Sequence, residues 1–372
     1  MAGGRGVEQN WRGFLAAVLF CTPVLAQEQV ADASEVPVAP VAPVAPVASA
    51  EQPAPKKKKP AKTESLGEAP AEADEAEAEQ SLRVFGRVYA RASADEREDF
   101  ERSLSVSSAR VGVSTSFEYV EAEVSAELSS KSLLRDAFVR VSDSQKRLRF
   151  YGGQFKSPFL ARSLESSWSL PLMRRGLVED YLVETHEMGG RRMGLMGEVR
   201  LKELWGLKVS GGLFQGSKDE LGERTGEDAA ARVSVSPFKG LTVGASSYLA
   251  QVMEGTRRHA LAADGALKLG ALAVSGELVA GRLGVGPFTG QLALVSYTLP
   301  MGPEKKWALQ PVVGAEALQL RGDVAGHGWA AVGGVNVLLG ESFKAQLQAE
   351  RALRPGDETP GTELSLQLAT RF

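Results

Sequence analysis

Residues 120–128 read Val-Glu-Ala-Glu-Val-Ser-Ala-Glu-Leu, and their alternation predicts the fold class. Successive side chains of an extended strand point to opposite faces, so this stretch has one apolar face and one acidic face. The apolar face comprises Val120, Val124, Ala126 and Leu128, and the acidic face comprises Glu121, Glu123 and Glu127. Such alternation over about ten residues is typical of a transmembrane β-strand.

The same period of two recurs along the rest of the chain. Arg83, Arg87 and Arg91 share one face of the first segment, and we expect this basic face to line the lumen of a barrel. The chain ends on Phe372 after an alternating segment, which is similar to the end of bacterial outer-membrane barrels. We count about sixteen such segments: 82–92, 103–117, 119–128, 133–142, 147–155, 191–201, 205–215, 228–236, 240–251, 258–268, 271–281, 288–299, 306–320, 328–339, 342–352 and 362–372.

The pattern therefore predicts an all-β fold, a 16-stranded antiparallel transmembrane β-barrel over residues 82–372. One connection breaks the pattern, because about 35 residues between Phe155 and Arg191 show no clear alternation. Loops of this length are uncommon unless they are functional. A barrel of 16 strands encloses an open lumen. We predict that this loop, after the fifth strand, folds inward over Ser157–Gly189 and narrows the lumen.

Residues before the barrel have a different composition. Residues 1–26 carry Arg5 and Arg12 before a short apolar core, which predicts a secretory signal peptide cleaved after Ala26. A membrane anchor is the alternative for this segment. Cys21 also suggests a lipoprotein, but the bulky Phe20 before it disfavours that interpretation. Residues 27–81 are rich in Pro, Ala and Lys, which predicts a disordered periplasmic linker. The lysines at 56–59 could contact an anionic cell-wall component.

Aromatic residues near strand ends are expected to form the two interfacial girdles of the barrel. They are Trp205, Phe214, Phe238, Tyr248, Phe288, Tyr297, Trp307, Trp329 and Phe343.

Four segments resemble a known family. They are LLRDAFVRV at 133–141, FYGGQFKSPFL at 150–160, SLPLMRRGLV at 169–178 and GGRRMGLMGEV at 189–199. Together they are similar to the porin O/P family, the phosphate-selective porins of Gram-negative outer membranes. The resemblance implies a homotrimer of 16-stranded barrels that passes phosphate-like anions, with outer-membrane lipid around it.

The resemblance also implies a set of site residues. Lys156 matches the lysine of the Phe-Lys-x-Pro-Phe block, Arg175 matches an arginine of the third segment, and Arg192 matches an arginine of strand six. Arg174 departs from the family pattern, which has Glu there. With Arg162, these residues are the expected constriction and anion-binding set, and Arg83, Arg87 and Arg91 form the expected basic lumen face.

Charge and motifs limit the possible functions. Residues 82–372 contain 36 basic and 34 acidic side chains, so placement and not net charge must set any ion preference. We expect the basic and acidic faces on opposed walls, with a transverse field and only a weak anion preference. His186, His259 and His327 lack ligand spacing, and no nucleotide or nucleophile motif is present.

These observations predict a water-filled channel for passive diffusion of small hydrophilic solutes, inorganic anions in particular. We expect no enzyme activity, cofactor, metal site or nucleic-acid partner. The alternative is a structural or surface-binding outer-membrane barrel with a closed lumen.

Overall fold

The computed structural model describes residues 81–216, 224, 226–251, 258–302, 304, 306–322 and 326–372. The predicted signal peptide and nearly all of the predicted linker lie outside these residues. The strands are β1 Ser81–Asp95, β2 Glu101–Phe117, β3 Val120–Glu127, β4 Leu134–Ser142, β5 Leu148–Lys156, β6 Arg191–Leu201, β7 Leu207–Gln215, β8 Glu227–Phe238, β9 Leu241–Ala250, β10 Arg258–Leu269, β11 Leu272–Leu283, β12 Gly286–Tyr297, β13 Leu299–Met301, β14 Trp307–Leu320, β15 Gly326–Leu339, β16 Phe343–Leu353 and β17 Gly361–Arg371.

All strands belong to one sheet that closes on itself, because β1 pairs antiparallel with both β2 and β17. β12 and β13 both pair with β14 and are two parts of one crossing, so the barrel has 16 crossings. The predicted antiparallel 16-stranded barrel is confirmed. None of the described helices is long and apolar enough to cross a bilayer.

Side chains along the strands alternate between the outer surface and the lumen, as the sequence predicts. Val124 is 57 % exposed on the outward face of β3, whereas its neighbours Ser125 and Glu127 are buried. In β17, Leu364, Leu366 and Leu368 are exposed on the outer surface while the intervening polar residues are covered. An outward apolar surface with a polar interior is the arrangement that a barrel in a bilayer requires.

The lumenal charges are not arranged on opposed walls as expected. β2 lies between β1 and β3, so Arg87 pairs in register with Arg110, which in turn pairs with Glu127. Hairpin neighbours are adjacent in the sheet, and the basic face of β1 and the acidic face of β3 therefore belong to one wall. The prediction of a transverse field between these two faces is therefore wrong.

Part of the lumen is apolar, which changes the role of several aromatic residues. Phe214, Tyr248 and Phe288 are almost completely buried in a cluster inside the barrel and belong to no girdle. Other predicted girdle residues are exposed near strand ends, namely Trp205, Phe238, Tyr297, Trp307 and Phe343. The girdle prediction is thus wrong for the buried three and stays a prediction for the exposed set.

Candidate pore constriction

The inward loop, residues 157–190, connects β5 to β6 and enters the lumen, as predicted. It contains the short helices α1 Ala161–Leu164 and α2 Leu177–Glu179, followed by a π-helical turn over Asp180–Thr185. Single turns of helix have little stability of their own, because nucleation is costly. The position of the loop must therefore come from its contacts with the barrel wall.

Apolar contacts attach the loop to the barrel wall. Phe159 and Leu182 are fully buried in a cluster that includes wall residues of β5 to β12 and of β14. A second cluster packs Leu172 against β12, β14 and β15 through Leu294, Val312 and Val332. Burying a large apolar side chain contributes roughly 1.5–3 kcal/mol. The loop is therefore a packed part of the interior and not a free flap.

Hydrogen bonds fix the middle of the loop to β15 and β16. The carbonyl oxygen of Pro171 accepts from the side-chain amides of Asn336 at 2.7 Å, Gln346 at 3.2 Å and Gln348 at 3.3 Å. Lys344 donates to the carbonyl oxygens of two further loop residues at 2.9 and 3.0 Å. These donors satisfy the backbone oxygens of a buried segment that has no regular structure.

Two wall carboxylates hold the helical parts of the loop. Glu277 accepts from the backbone amides of Ala161 at 2.7 Å and Arg162 at 3.2 Å. Glu316 accepts from the backbone amide of Val178 at 3.0 Å. The close approach of Glu316 requires a glycine at position 176, which has φ 114° and whose added Cβ would lie 1.8 Å from a Glu316 oxygen.

Glu179 is the buried acid of the loop itself. It accepts from the Ser163 hydroxyl at 2.9 Å and lies 3.9 Å from the Arg175 guanidinium. Burial raises the pKa of Glu179 to about 7, and the nearby Arg175 only partly offsets that effect. The carboxyl group therefore titrates close to neutral pH.

The loop leaves a space beside β1 to β7, which we call the opening. A cavity of about 350 Å³ lies between the loop residues Leu164, Ser166 and Ser167 and the wall of β1 to β7. The wall side chains at this opening are Arg87, Arg110, Glu123, Asp136, Phe138, Tyr151, Phe155, Lys156, Arg191, Met196, Glu198 and Lys208. Five of these are basic and three are acidic.

The charges at the opening are partly paired. Asp136 contacts the guanidinium of Arg110 and accepts from Arg191 at 2.9 Å, so one carboxylate serves two cations. Glu198 similarly pairs with Lys208 at 2.9 Å. Arg87 has no carboxylate partner among the described residues, and its Nε forms no hydrogen bond. The opening thus has an excess of positive charge.

Three expected constriction residues lie in or beside this region. Lys156 lines the opening and donates to the carbonyl oxygen of Glu165 at 2.6 Å. Arg175 donates to the same oxygen at 2.7 Å and also contacts the Arg162 carbonyl. Arg174 is 39 % exposed and pairs with Glu363 at 3.2 Å. The structure therefore brings Lys156 and Arg175 together at one turn, while Arg174 points to β17.

Arg162 and Arg192 occupy positions that differ from the expected role. Each is only 3 % exposed. Arg162 donates to the Arg175 carbonyl at 3.1 Å, and Arg192 donates to the carbonyls of Glu187 and Gly216. A guanidinium that is covered and bonded to backbone oxygens stabilises the loop and its base, and it has no exposed surface for contact with a passing solute.

The predicted basic face of β1 is divided between several environments. Arg87 reaches the opening, Arg91 donates to Gln367 at 2.9 Å and to the Met173 carbonyl at 3.2 Å, and Arg83 is exposed near the start of the strand. Arg110 belongs to no motif, and Arg191 lies in the fourth similar segment beside the predicted Arg192, so neither was predicted as a site residue. Only the register from β2 through β4 to β6 brings them to Asp136.

Known proteins are similar to this chain in structure alone. No family model and no curated protein matches the sequence. An anion-selective porin from Comamonas acidovorans has a TM-score of 0.60 at 11 % identity over 79 % of this chain and 100 % of that chain. The outer-membrane channel DcaP of Acinetobacter baumannii has a TM-score of 0.60 at 10 % identity over 79 % and 97 %.

A third similar structure is a trimer form of OmpT, an outer-membrane protein of Vibrio cholerae, with a TM-score of 0.57 at 10 % identity over 79 % of this chain and 99 % of that chain. The chain has the fold of outer-membrane porins. The porin fold extends over the described barrel, and the narrower resemblance to the porin O/P family stays a prediction.

Proposed function

We propose that this chain is a porin of the Gram-negative outer membrane, through which small hydrophilic solutes diffuse passively. The observation that carries the proposal is the opening of about 350 Å³ that the packed inward loop leaves beside β1 to β7. The outward apolar surface of the strands supports a location in a bilayer. The similar outer-membrane structures support the outer membrane in particular.

The channel weakly prefers anions in this proposal. Five basic and three acidic side chains line the opening, and rings of like charge set the sign of selectivity in a pore. The anion path runs past Lys156 and Arg87, together with Arg110 and Arg191. Arg174 and Arg175 contribute less, since carboxylates lie within 4 Å of both groups. Preference for phosphate and membership in the porin O/P family rest on the four similar segments.

The remaining parts of the proposal concern assembly and targeting. Residues 1–26 direct export, and residues 27–81 form a periplasmic segment with its lysine cluster. The barrel assembles as a homotrimer, which the trimeric form of the similar OmpT supports.

Single-channel recording in a planar bilayer tests the proposal. Purified protein should give steady open conductance, and the zero-current potential across a KCl gradient should have the sign of chloride preference. Electrical silence would favour the alternative of a structural barrel with a closed lumen. A cation-selective pore would contradict the anion preference while leaving the channel itself in place.

A further inference from the structure

We propose that the opening selects carboxylates that carry an aromatic ring over aliphatic carboxylates of the same charge. This inference rests on the proposed function, since it requires that anions pass through the opening. It is carried by two features of one wall, an aromatic surface and two basic side chains without carboxylate partners.

The aromatic surface is formed by Phe138 on β4 with Tyr151 and Phe155 on β5. The ring centroids of Phe138 and Tyr151 are 6.0 Å apart, and those of Tyr151 and Phe155 are 5.5 Å apart. These tilted arrangements are the favourable geometry for ring contacts. All three side chains line the opening, and Phe138 and Tyr151 are only partly buried.

Local backbone structure positions these rings. Phe138 lies opposite Gly153 in the β4–β5 register, and a Cβ added to Gly153 would lie 2.8 Å from the Phe138 Cα. The glycine therefore allows the backbones of β4 and β5 to approach closely beside the Phe138 ring. Arg140 lies opposite Tyr151, with its guanidinium 5.7 Å from the ring centroid. The free energy is lowered when an apolar solute surface displaces water from partly exposed rings in an aqueous lumen.

The two basic side chains are Arg87 and Lys156, and Arg87 supplies the permanent positive charge. Neither forms an ion pair with a carboxylate in the described part of the chain, whereas Arg110 and Arg191 share Asp136. The Nε of Arg87 has no hydrogen-bond partner, and Nζ of Lys156 contacts the neutral carbonyl of Glu165. A solute carboxylate can bind these groups without breaking an existing ion pair.

Both features line the same opening, so one solute can use both. A carboxylate head meets Arg87 or Lys156 while an attached ring contacts Phe138 and Tyr151. A compact inorganic anion uses only the cations, and an aliphatic acid offers less surface to the rings. A neutral aromatic solute lacks the charged contact. The chemistry of the lining therefore fits a small aromatic monocarboxylate.

The test uses the full-length protein in planar bilayers, with benzoate and acetate as the probes. Zero-current potentials with sodium benzoate or sodium acetate against sodium chloride give the permeability of each carboxylate. Benzoate is larger and diffuses more slowly than acetate, so a wide neutral pore passes it less readily. We expect benzoate to exceed acetate by about two- to tenfold, the range that a ring contact supplies.

Two variants separate the ring contact from a general change in the pore. Phe138→Leu with Tyr151→Leu keeps apolar side chains but removes the rings, and it should bring the benzoate-to-acetate ratio below one. Phe150→Leu is the matched control, because Phe150 neighbours Tyr151 but is 65 % exposed on the outward face. It should leave the ratio unchanged. Heat-modifiable migration on gels, which reports a folded barrel, verifies that all three proteins fold.

The outcomes distinguish this inference from the proposed function. An anion-selective wild type that passes acetate better than benzoate would overturn the inference and leave the porin proposal intact. A folded double variant with an undiminished preference for benzoate would also overturn it. A silent or cation-selective wild type would remove the proposed anion channel, and the inference with it.

Discussion

Replacing Asp136 by Asn should make the channel more anion-selective. Asp136 contacts Arg110 and accepts from Arg191 at 2.9 Å, so the substitution releases two guanidinium groups at once. The number of acidic side chains at the opening falls below the three of the wild type, while the five basic ones stay. Asn has nearly the same shape as Asp, so the change is mainly one of charge.

The size of the effect follows from the distance between a solute and the lost charge. At about 6 Å in a water-like medium, one unit charge contributes about 0.7 kcal/mol. The contribution has opposite signs for an anion and a cation, so their permeability ratio should change by about tenfold. At about 1 M salt the screening length is about 3 Å, and most of the effect should disappear.

The assay is the zero-current potential across a KCl gradient, measured at low and at high salt. Glu203→Gln is the control, because it removes the same charge from an exposed ion pair with Arg147, away from the opening. Its selectivity should equal that of the wild type. An Asp136→Asn channel with unchanged selectivity at low salt would refute the view that these charges set the field.

Further expectations concern the inward loop. Deleting residues 163–188 should raise the conductance but also lower the unfolding temperature, because the apolar lumenal wall then faces water; a deletion variant with unchanged conductance would place the loop outside the current path. Gly176→Ala should displace the loop from Glu316 and alter the conductance, whereas Gly284→Ala, where an added Cβ meets nothing within 4 Å, should not. The raised pKa of Glu179, about 7, means that its burial favours the packed loop at low pH, and that this stabilisation is lost as the pH rises through about 7. Amide exchange in the loop, corrected for intrinsic rates, should therefore be faster at about pH 8 than at about pH 5.5, and Glu179→Gln should remove most of the difference; equal pH dependence in the variant would exclude this group.

Period-two alternation was sufficient to predict the barrel, because one face of each strand meets lipid and the other meets the lumen. The predicted strand ends lie within three residues of the observed ones, as in β6, where both limits agree. The inward direction of the loop was predictable from its length and its lack of alternation. The pairing of charges was not, because Arg110 reaches Asp136 only through the register of three strands.

The apolar half of the lumen was not predictable from the sequence. In β15, Val332 packs against the loop while Val335 faces outward, so both faces of the strand are apolar. Alternation cannot assign a direction where the contrast between faces disappears. The same loss of contrast hid the role of Phe288. The burial of Arg162 and Arg192 was not predictable for another reason. Their covered positions depend on where the loop packs, which is a tertiary property.

The amides that surround the Pro171 carbonyl have a consequence for how the channel responds to its surroundings. Asn336, Gln346 and Gln348 are uncharged at every pH that the protein tolerates, and hydrogen bonds between neutral groups are scarcely weakened by dissolved ions. The position of the loop, and with it the width of the opening, should therefore stay constant when the medium outside the cell becomes dilute or briny. The ion preference, which depends on long-range charge, should vary. Size exclusion and ion discrimination thus depend on separate walls of one lumen, and natural variation could adjust either property without disturbing the other.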